Sequence, residues 1–185
     1  MKIILASGSP RRKELLSMIT PDFTVKVSDV DESAIHAQTP ALLAKALARA
    51  KCLAVSCEEP QALVLGCDTV VECDGEVFGK PRDKADALRM LHALAGRRHY
   101  VHTGVCLAAG SQIENFAVTS AVDFFPVEEE DMEAYAATAE PYDKAGGYAI
   151  QGHAAVWCSG IEGCYYNIMG LPVSHVAQAL KKFGL

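Results

Sequence analysis

Ser7-Gly8-Ser9-Pro10-Arg11-Arg12 brings two hydroxyls and two guanidinium groups to the start of a helix. Ser9 suits the N-cap position and Pro10 the first helical position. A helix N-terminus already carries about half a positive charge, so helix stability alone would favour Asp or Glu where Arg11 and Arg12 stand. Free backbone N–H groups, hydroxyls and guanidinium groups on one spot suit a phosphate-bearing ligand. The competing reading is a pair of solvated arginines on an exposed helix end. Asp68 is the second group that could do chemistry. It interrupts the apolar stretch Leu63-Val64-Leu65-Gly66-Cys67 and Val70-Val71. A carboxylate there is costly unless it is paired or binds a cation, which makes it a candidate metal ligand or general base. The competing reading is an Asp that caps a turn at a strand end.

Four further places carry polar groups of the right kind. Gly79-Lys80-Pro81 fixes the backbone after a lysine that could act as a point charge on a phosphate, or could stand solvated in a loop. Asp31-Glu32-Ser33 could offer oxygen ligands to magnesium, or be an ordinary polar loop. Lys51 falls about 40° beyond Leu47 on a helical wheel, at the border of an apolar face, where periodicity does not choose between an inward lysine and a snorkelling one. Asp143–Gly152 holds three glycines around Tyr148 and Gln151. It could approach a flat ligand closely, with Gln151 presenting a donor and an acceptor to a base edge, or be a flexible surface loop.

These groups need elements to position them. Lys2–Ala6 reads as a short buried strand running into the Ser7-Gly8-Ser9 turn and a helix over Arg11–Met18. Phe23–Val27 alternates as a strand. Thr39-Pro40 opens a long helix to about Cys57, with Leu43, Leu47, Ala50 and Ala54 on one face. Ala62–Glu72 is a strong strand that turns at Asp74-Gly75 into Glu76–Phe78. Asp83 caps a helix ending at Gly96. Tyr100–Ala108 and Ile113–Phe125 form a long antiparallel pair. Glu128–Ala137 is a helix, Pro141–Gly152 a turn-rich loop, Ala154–Cys158 a strand and Pro172–Phe183 the closing helix. Hairpins and crossovers occur together, which predicts an α/β or α+β domain around a mixed sheet.

The 185 residues suit a single domain spanning 1–185, with 50% hydrophobic and 22% charged residues. The net charge of −6 argues against a protein that tracks a nucleic-acid backbone. No apolar run is long enough to span a bilayer, and the start of the chain does not read as a signal peptide. Seven cysteines without a C-x-x-C pair suggest reduced thiols in the cytoplasm and no structural zinc. Six histidines without an H-x-x-x-H pattern argue against catalytic zinc. Neither G-x-G-x-x-G nor G-x-x-x-x-G-K-[ST] is present, so a phosphate cradle has to be built differently.

Together these segments resemble the Maf family of nucleotide pyrophosphatases, also called septum-formation inhibitors. The resemblance runs in order through Ala6–Arg12, Asp68-Thr69-Val70-Val71, Gly79-Lys80-Pro81, His102-Thr103-Gly104, Asp143–Gly152 and Gly170-Leu171-Pro172. It implies a mixed α/β fold related to the inosine triphosphatases, two-lobed with a central cleft. It implies hydrolysis of a nucleoside triphosphate to the monophosphate and pyrophosphate with a divalent metal, Mg or Mn. Gly147–Gly152 is similar to the dTTP/UTP branch, although Gly147 stands where alanine is more usual. The resemblance implies that Asp68 is the catalytic base, and that Arg11, Thr69 and Gln151 bear on substrate choice. Ser7, Arg12, Glu32, Lys51 and Lys80 match the other polar positions of the pocket. Arg11, Arg12, Lys51 and Lys80 are then placed to stabilise charge on a pyrophosphate leaving group, and Glu32 and Asp68 to hold the metal. The implied setting is house-cleaning of nucleotide pools, linked in the family to cell-division arrest, with homodimers common. The alternatives are the same chemistry on a modified purine nucleotide such as 7-methyl-GTP, or a nucleotide-sensing division regulator without turnover. Asp68 together with Lys80 and Glu32 favours an enzyme, because a pure binder needs no positioned base.

Overall fold

A computed structural model describes residues 1–185. Seven strands form one sheet: β1 (Ile3–Leu5), β2 (Phe23–Val25), β3 (Leu63–Cys73), β4 (Glu76–Phe78), β5 (Arg98–Ala109), β6 (Gln112–Phe124) and β7 (Cys158–Glu162). Their order is β2-β1-β3-β5-β6-β7, with β4 on the far half of β3. β1 runs parallel to β2 and β3, and the other pairs are antiparallel. Six α-helices surround it: α1 (Pro10–Ser17), α2 (Pro40–Glu58), α3 (Lys84–Leu94), α4 (Glu129–Ala136), α5 (Tyr165–Met169) and α6 (Val173–Lys181). The expected mixed α/β sheet is therefore present. No helix is long and apolar enough to cross a membrane.

The side chains of β3 alternate, and the alternation decides what each face meets. Leu63, Leu65 and Cys67 join the core under α1 and α6, with Leu15, Leu16, Val176 and Leu180. Val64 joins the core under α2, with Ala48, Cys52 and Val55. Beyond residue 70 the strand enters a third core, where Val71 and Cys73 pack with Phe78, Met90, Leu94, Tyr135 and Trp157. Two lobes thus share the same long strands.

The sheet has a notch between the lobes. β1 pairs with β3 only over Leu63–Leu65, and β4 pairs with it only over Val71–Cys73. On that edge no strand covers residues 67–70, while the other edge stays paired with β5 throughout. The carboxyl end of β1, the start of α1 and the middle of β3 all meet at this notch. In open α/β sheets, ligands characteristically sit at such a switch in strand order.

α2 closes over the notch. Thr39 caps it by accepting from the Leu42 N–H, and Pro40 stands in its first turn. The helix lies unusually close to the sheet because two strand positions lack a side chain. A Cβ on Gly66 would come within 2.5 Å of the Ala48 carbonyl oxygen, and one on Gly104 within 2.0 Å of the Ala44 carbonyl oxygen.

One expected strand is not a strand. Ala154–Cys158 lies mostly in a 3-10 helix over His153–Trp157, and β7 begins only at Cys158. The buried residues there are Ala154 and Trp157, three apart, which is the 3-10 repeat and not the two-residue repeat of a strand. An apolar run of this length does not reveal which repeat it follows. Pro141–Gly152, expected as a loop, contains two 3-10 turns, Pro141–Asp143 and Ala145–Gly147.

Candidate active site

A cleft of about 870 Å³ opens at the notch, and all nine candidate side chains line it. Ser7, Arg11 and Arg12 come from the β1–α1 turn, Lys51 from α2, and Asp68 and Thr69 from β3. Glu32 comes from a 3-10 turn over Glu32–Ala34. Lys80 and Gln151 come from the facing lobe.

Asp68 is 8% exposed, so the cost of its charge must be offset. Lys51 does this, with its Nζ 2.5 Å from Asp68 Oδ1. The same Nζ lies 2.7 Å from Glu32 Oε1. Lys51 is therefore an inward lysine, its charge held between two carboxylates. Glu32 is half-exposed, so the triad opens toward solvent on one side. Burial pushes the neighbouring Cys67 thiol up to about 12, which makes it inert.

Arg12 gathers the segments behind the cleft. Its Nε donates to the Gly170 carbonyl at 2.9 Å, Nη1 to Ser7 Oγ at 3.1 Å and Nη2 to Thr69 Oγ1 at 3.0 Å. Thr103 Oγ1 spends its proton on the Asn167 carbonyl, so Thr69 is the donor in the 2.9 Å Thr69–Thr103 contact. The bonds thus run in one direction, from Arg12 through Thr69 and Thr103 to Asn167 in the middle of α5. A guanidinium has five N–H donors, so Arg12 keeps two beyond these three bonds.

Arg11 reaches across the cleft. Its Nη1 donates to Asp143 Oδ2 at 2.9 Å and its Nη2 to the Asp143 carbonyl at 3.2 Å. Asp143 also takes Lys144 Nζ at 2.5 Å. Partial burial pushes the Asp143 carboxyl up, but Lys144 and Arg11 outweigh it and hold it below its ordinary value. Lys80 is exposed and has no ion pair or side-chain hydrogen bond, which leaves its charge uncommitted.

The wall opposite α1 is built by the glycines. Gly146 N–H donates to the Gly79 carbonyl at 3.0 Å, tying the Gln151 loop to the Lys80 segment. Gly147 has φ +70° with Pro81 Cγ 3.1 Å from where a Cβ would lie. Glycine is therefore the unstrained choice at this position. Gln151 is exposed on this wall, between the buried Ile150 and the partly buried Gly152. Tyr148 anchors the loop in the core, its hydroxyl 2.8 Å from His99 Nε2. Burial pushes His99 down to about 4, so the ring is neutral.

Sequence reasoning left out three residues that shape this site. Asp143 and Lys144 were legible only as part of a polar loop, since nothing in their spacing names Arg11 as a partner. Glu140 carried no signal at all, standing among small and acidic residues.

The sheet order, the notch and the polar lining define a mixed α/β protein with a cation-lined cleft. The solved structures that resemble it include the Ham1 protein of Staphylococcus aureus (TM-score 0.57, 15% identity, 98% of this chain and 99% of that one). A HAM1 protein from Coxiella burnetii is similar over the same span, at TM-score 0.53 and 12% identity. At these identities the likeness concerns the fold alone. The family model described as "Maf-like protein" matches residues 2–183, and the chain belongs to this family. A dTTP/UTP pyrophosphatase of Symbiobacterium thermophilum is 49% identical over 99% of this chain and 94% of its own length. A protein of the same name from Moorella thermoacetica is 47% identical over 100% and 96%.

Replacing Arg11 with alanine tests whether that side chain serves the ligand or only the fold. A charge-assisted contact to a phosphate contributes about 1.5–3 kcal/mol, so kcat/KM for a triphosphate is expected to fall roughly 10- to 100-fold. An unchanged kcat/KM would leave Arg11 as a strut to Asp143.

Proposed function

We propose that this protein hydrolyses the α–β phosphoanhydride of dTTP and UTP, releasing pyrophosphate. One observation carries the reading: the Asp68–Lys51–Glu32 triad, with Asp68 buried at its inner end, and the uncommitted Lys80 line one cleft with Gln151. The cleft thus combines a reactive carboxylate, cations for a triphosphate and an amide for a base edge. The relatives named dTTP/UTP pyrophosphatase, nearly half identical over their whole length, support the same choice of substrate.

Asp68 takes the role of general base, orienting a water for attack on the α-phosphorus. Lys51 offsets the charge of that carboxylate and aims it through the 2.5 Å contact. Arg12, held at three points, is pre-organised and needs no rearrangement as charge grows on the leaving pyrophosphate. Lys80 supplies a mobile point charge to the same oxygens. Arg11 exchanges Asp143 for a phosphate. Gln151 presents a donor and an acceptor to the O4/N3 edge of uracil or thymine, and in that same pose a cytosine edge, with donor and acceptor exchanged, would pair with neither.

The donor set suits a hard divalent cation. Glu32 and Asp68 each turn one oxygen to the Lys51 ammonium, which leaves the second oxygen of each carboxylate to take an ion, and no group of three or more His, Cys, Asp or Glu side chains offers a full protein cage. Magnesium characteristically takes one or two carboxylates and completes its shell with substrate phosphates and water. Glu32 and Asp68 would hold such an ion, which supplies Lewis-acid charge to the phosphate oxygens when bound. Pyrophosphate release is therefore expected to stop in excess chelator and return with Mg or Mn, while Tm stays within ~2 °C because the core does not depend on the ion. Full activity in chelator excludes the arrangement.

The reading as a whole is tested by offering the purified protein each common triphosphate and 7-methyl-GTP with magnesium, and scoring pyrophosphate. Preference for dTTP and UTP is expected. Preference for 7-methyl-GTP would move the activity to a modified purine, and release from none would leave a binding protein.

A further inference from the structure

Gln151 is useful for choosing a base only if its backbone is held still. Two polar side chains from outside the cleft do this. Glu140 Oε1 accepts the His153 N–H at 3.0 Å, and Oε2 accepts His153 Nδ1–H at 2.6 Å. Oε1 also accepts the Tyr135 hydroxyl at 3.0 Å. That hydroxyl in turn accepts the Ala149 N–H at 3.3 Å. One carboxylate thus fixes the chain two residues after Gln151 directly, and two residues before it through Tyr135.

The anchor is rigid. Tyr135 is 4% exposed, on α4, with its ring 5.0 Å from that of Trp157. The Glu140 carboxylate is itself largely covered, at 17% exposure. Burial pushes its pKa up, but the His153 and Tyr135 bonds outweigh this and hold it below the ordinary value, so it is ionised at neutral pH. Its main-chain carbonyl accepts Lys144 Nζ at 2.6 Å, and that ammonium also pairs with Asp143, the partner of Arg11. Gly152 is moulded to the same carboxylate: a Cβ there would lie 2.0 Å from Glu140 Oε1.

We propose that Glu140 is a positioning residue for base choice, its carboxylate clamping both sides of Gln151 so that the amide meets a uracil or thymine edge in one fixed pose. The inference rests on the function proposed above. It assigns Glu140 and Tyr135 no contact with substrate.

Glu140→Gln keeps the volume but offers a single acceptor oxygen where three donors converge, and it turns an NH2 toward one of them. Tyr135→Phe keeps the ring packing and removes the hydroxyl that joins Glu140 to Ala149. With UTP, Glu140→Gln is expected to lower kcat/KM about 10-fold, mostly through KM, with kcat within ~2-fold, since about one buried polar pairing is lost. With CTP the fall is smaller, so the UTP-to-CTP ratio of kcat/KM drops. Tyr135→Phe changes the ratio in the same direction by ~3-fold. In both variants the amides of Ala149 and His153 exchange hydrogen faster. A wild-type protein with no pyrimidine preference overturns the proposed function and this inference together. A wild-type preference that both variants keep overturns the inference alone, as does a loss confined to kcat that is equal for all triphosphates. If Glu140→Gln does not fold, the Tyr135→Phe ratio decides.

Discussion

Asp68→Asn lowers turnover by at least ~100-fold, the low end for removal of a general base, in a protein that remains folded. The amide keeps the volume of the carboxylate and can still accept from Lys51. It cannot take a proton from water or carry the charge that a cation needs. Lys51 retains Glu32 as a counterion at 2.7 Å, so the stability cost stays at about 1–2 kcal/mol and not the larger penalty of an abandoned buried charge. Single-turnover pyrophosphate release, with circular dichroism alongside, separates the two effects. Near-normal turnover in the folded variant would remove Asp68 from the chemistry.

Gly104→Ala has the largest expected effect on stability. The added methyl would lie 2.0 Å from the Ala44 carbonyl oxygen and 2.6 Å from the Lys45 nitrogen. Both are backbone atoms of α2, so no rotamer change relieves the clash and the helix has to lift. Overpacking of this kind costs about 3 kcal/mol or more. In a chain of this size that lowers Tm by roughly 6–12 °C. Lifting α2 also withdraws Lys51 from Asp68, so residual activity is expected to fall further than stability alone requires. A thermal melt together with kcat below the transition checks both. An unchanged Tm would mean that the helix does not rest on this glycine.

The polar lining of the cleft was more legible in the sequence than the scaffold behind it. Asp68 stood out because an apolar strand makes a carboxylate conspicuous, and the structure shows it paired as such a charge must be. Its partner could not be named, because the helical wheel leaves Lys51 at the edge of an apolar face and the approach of α2 depends on Gly66 and Gly104 elsewhere in the chain. Arg11 and Arg12 were alike as neighbours at a helix start. In the folded protein one is bound to Asp143 and the other to Ser7, Thr69 and Gly170, a distinction set by contacts more than 50 residues distant, apart from Ser7. Ala154–Cys158 misled because five apolar residues fit a strand and a 3-10 turn equally well. Glu140 was silent for the opposite reason, since an acidic residue before a proline is ordinary until His153 folds back onto it.

The notch interrupts only one edge of the sheet. Along the other edge β3 stays bonded to β5 from Val64 to Glu72, and β5 to β6 from Arg98 to Ala109. Strands of eleven to thirteen residues, about 35–45 Å long, therefore pass beneath the cleft from one lobe into the other. Mechanically this is a continuous plank and not a pair of leaves on a pin. Its floor, including Asp68 and Thr69, is pinned along its length by the unbroken pairing of β3 with β5. Any change in the width of the cleft is a displacement of its walls: the turn that carries Glu32, the segment that carries Lys80 and the loop that carries Gln151.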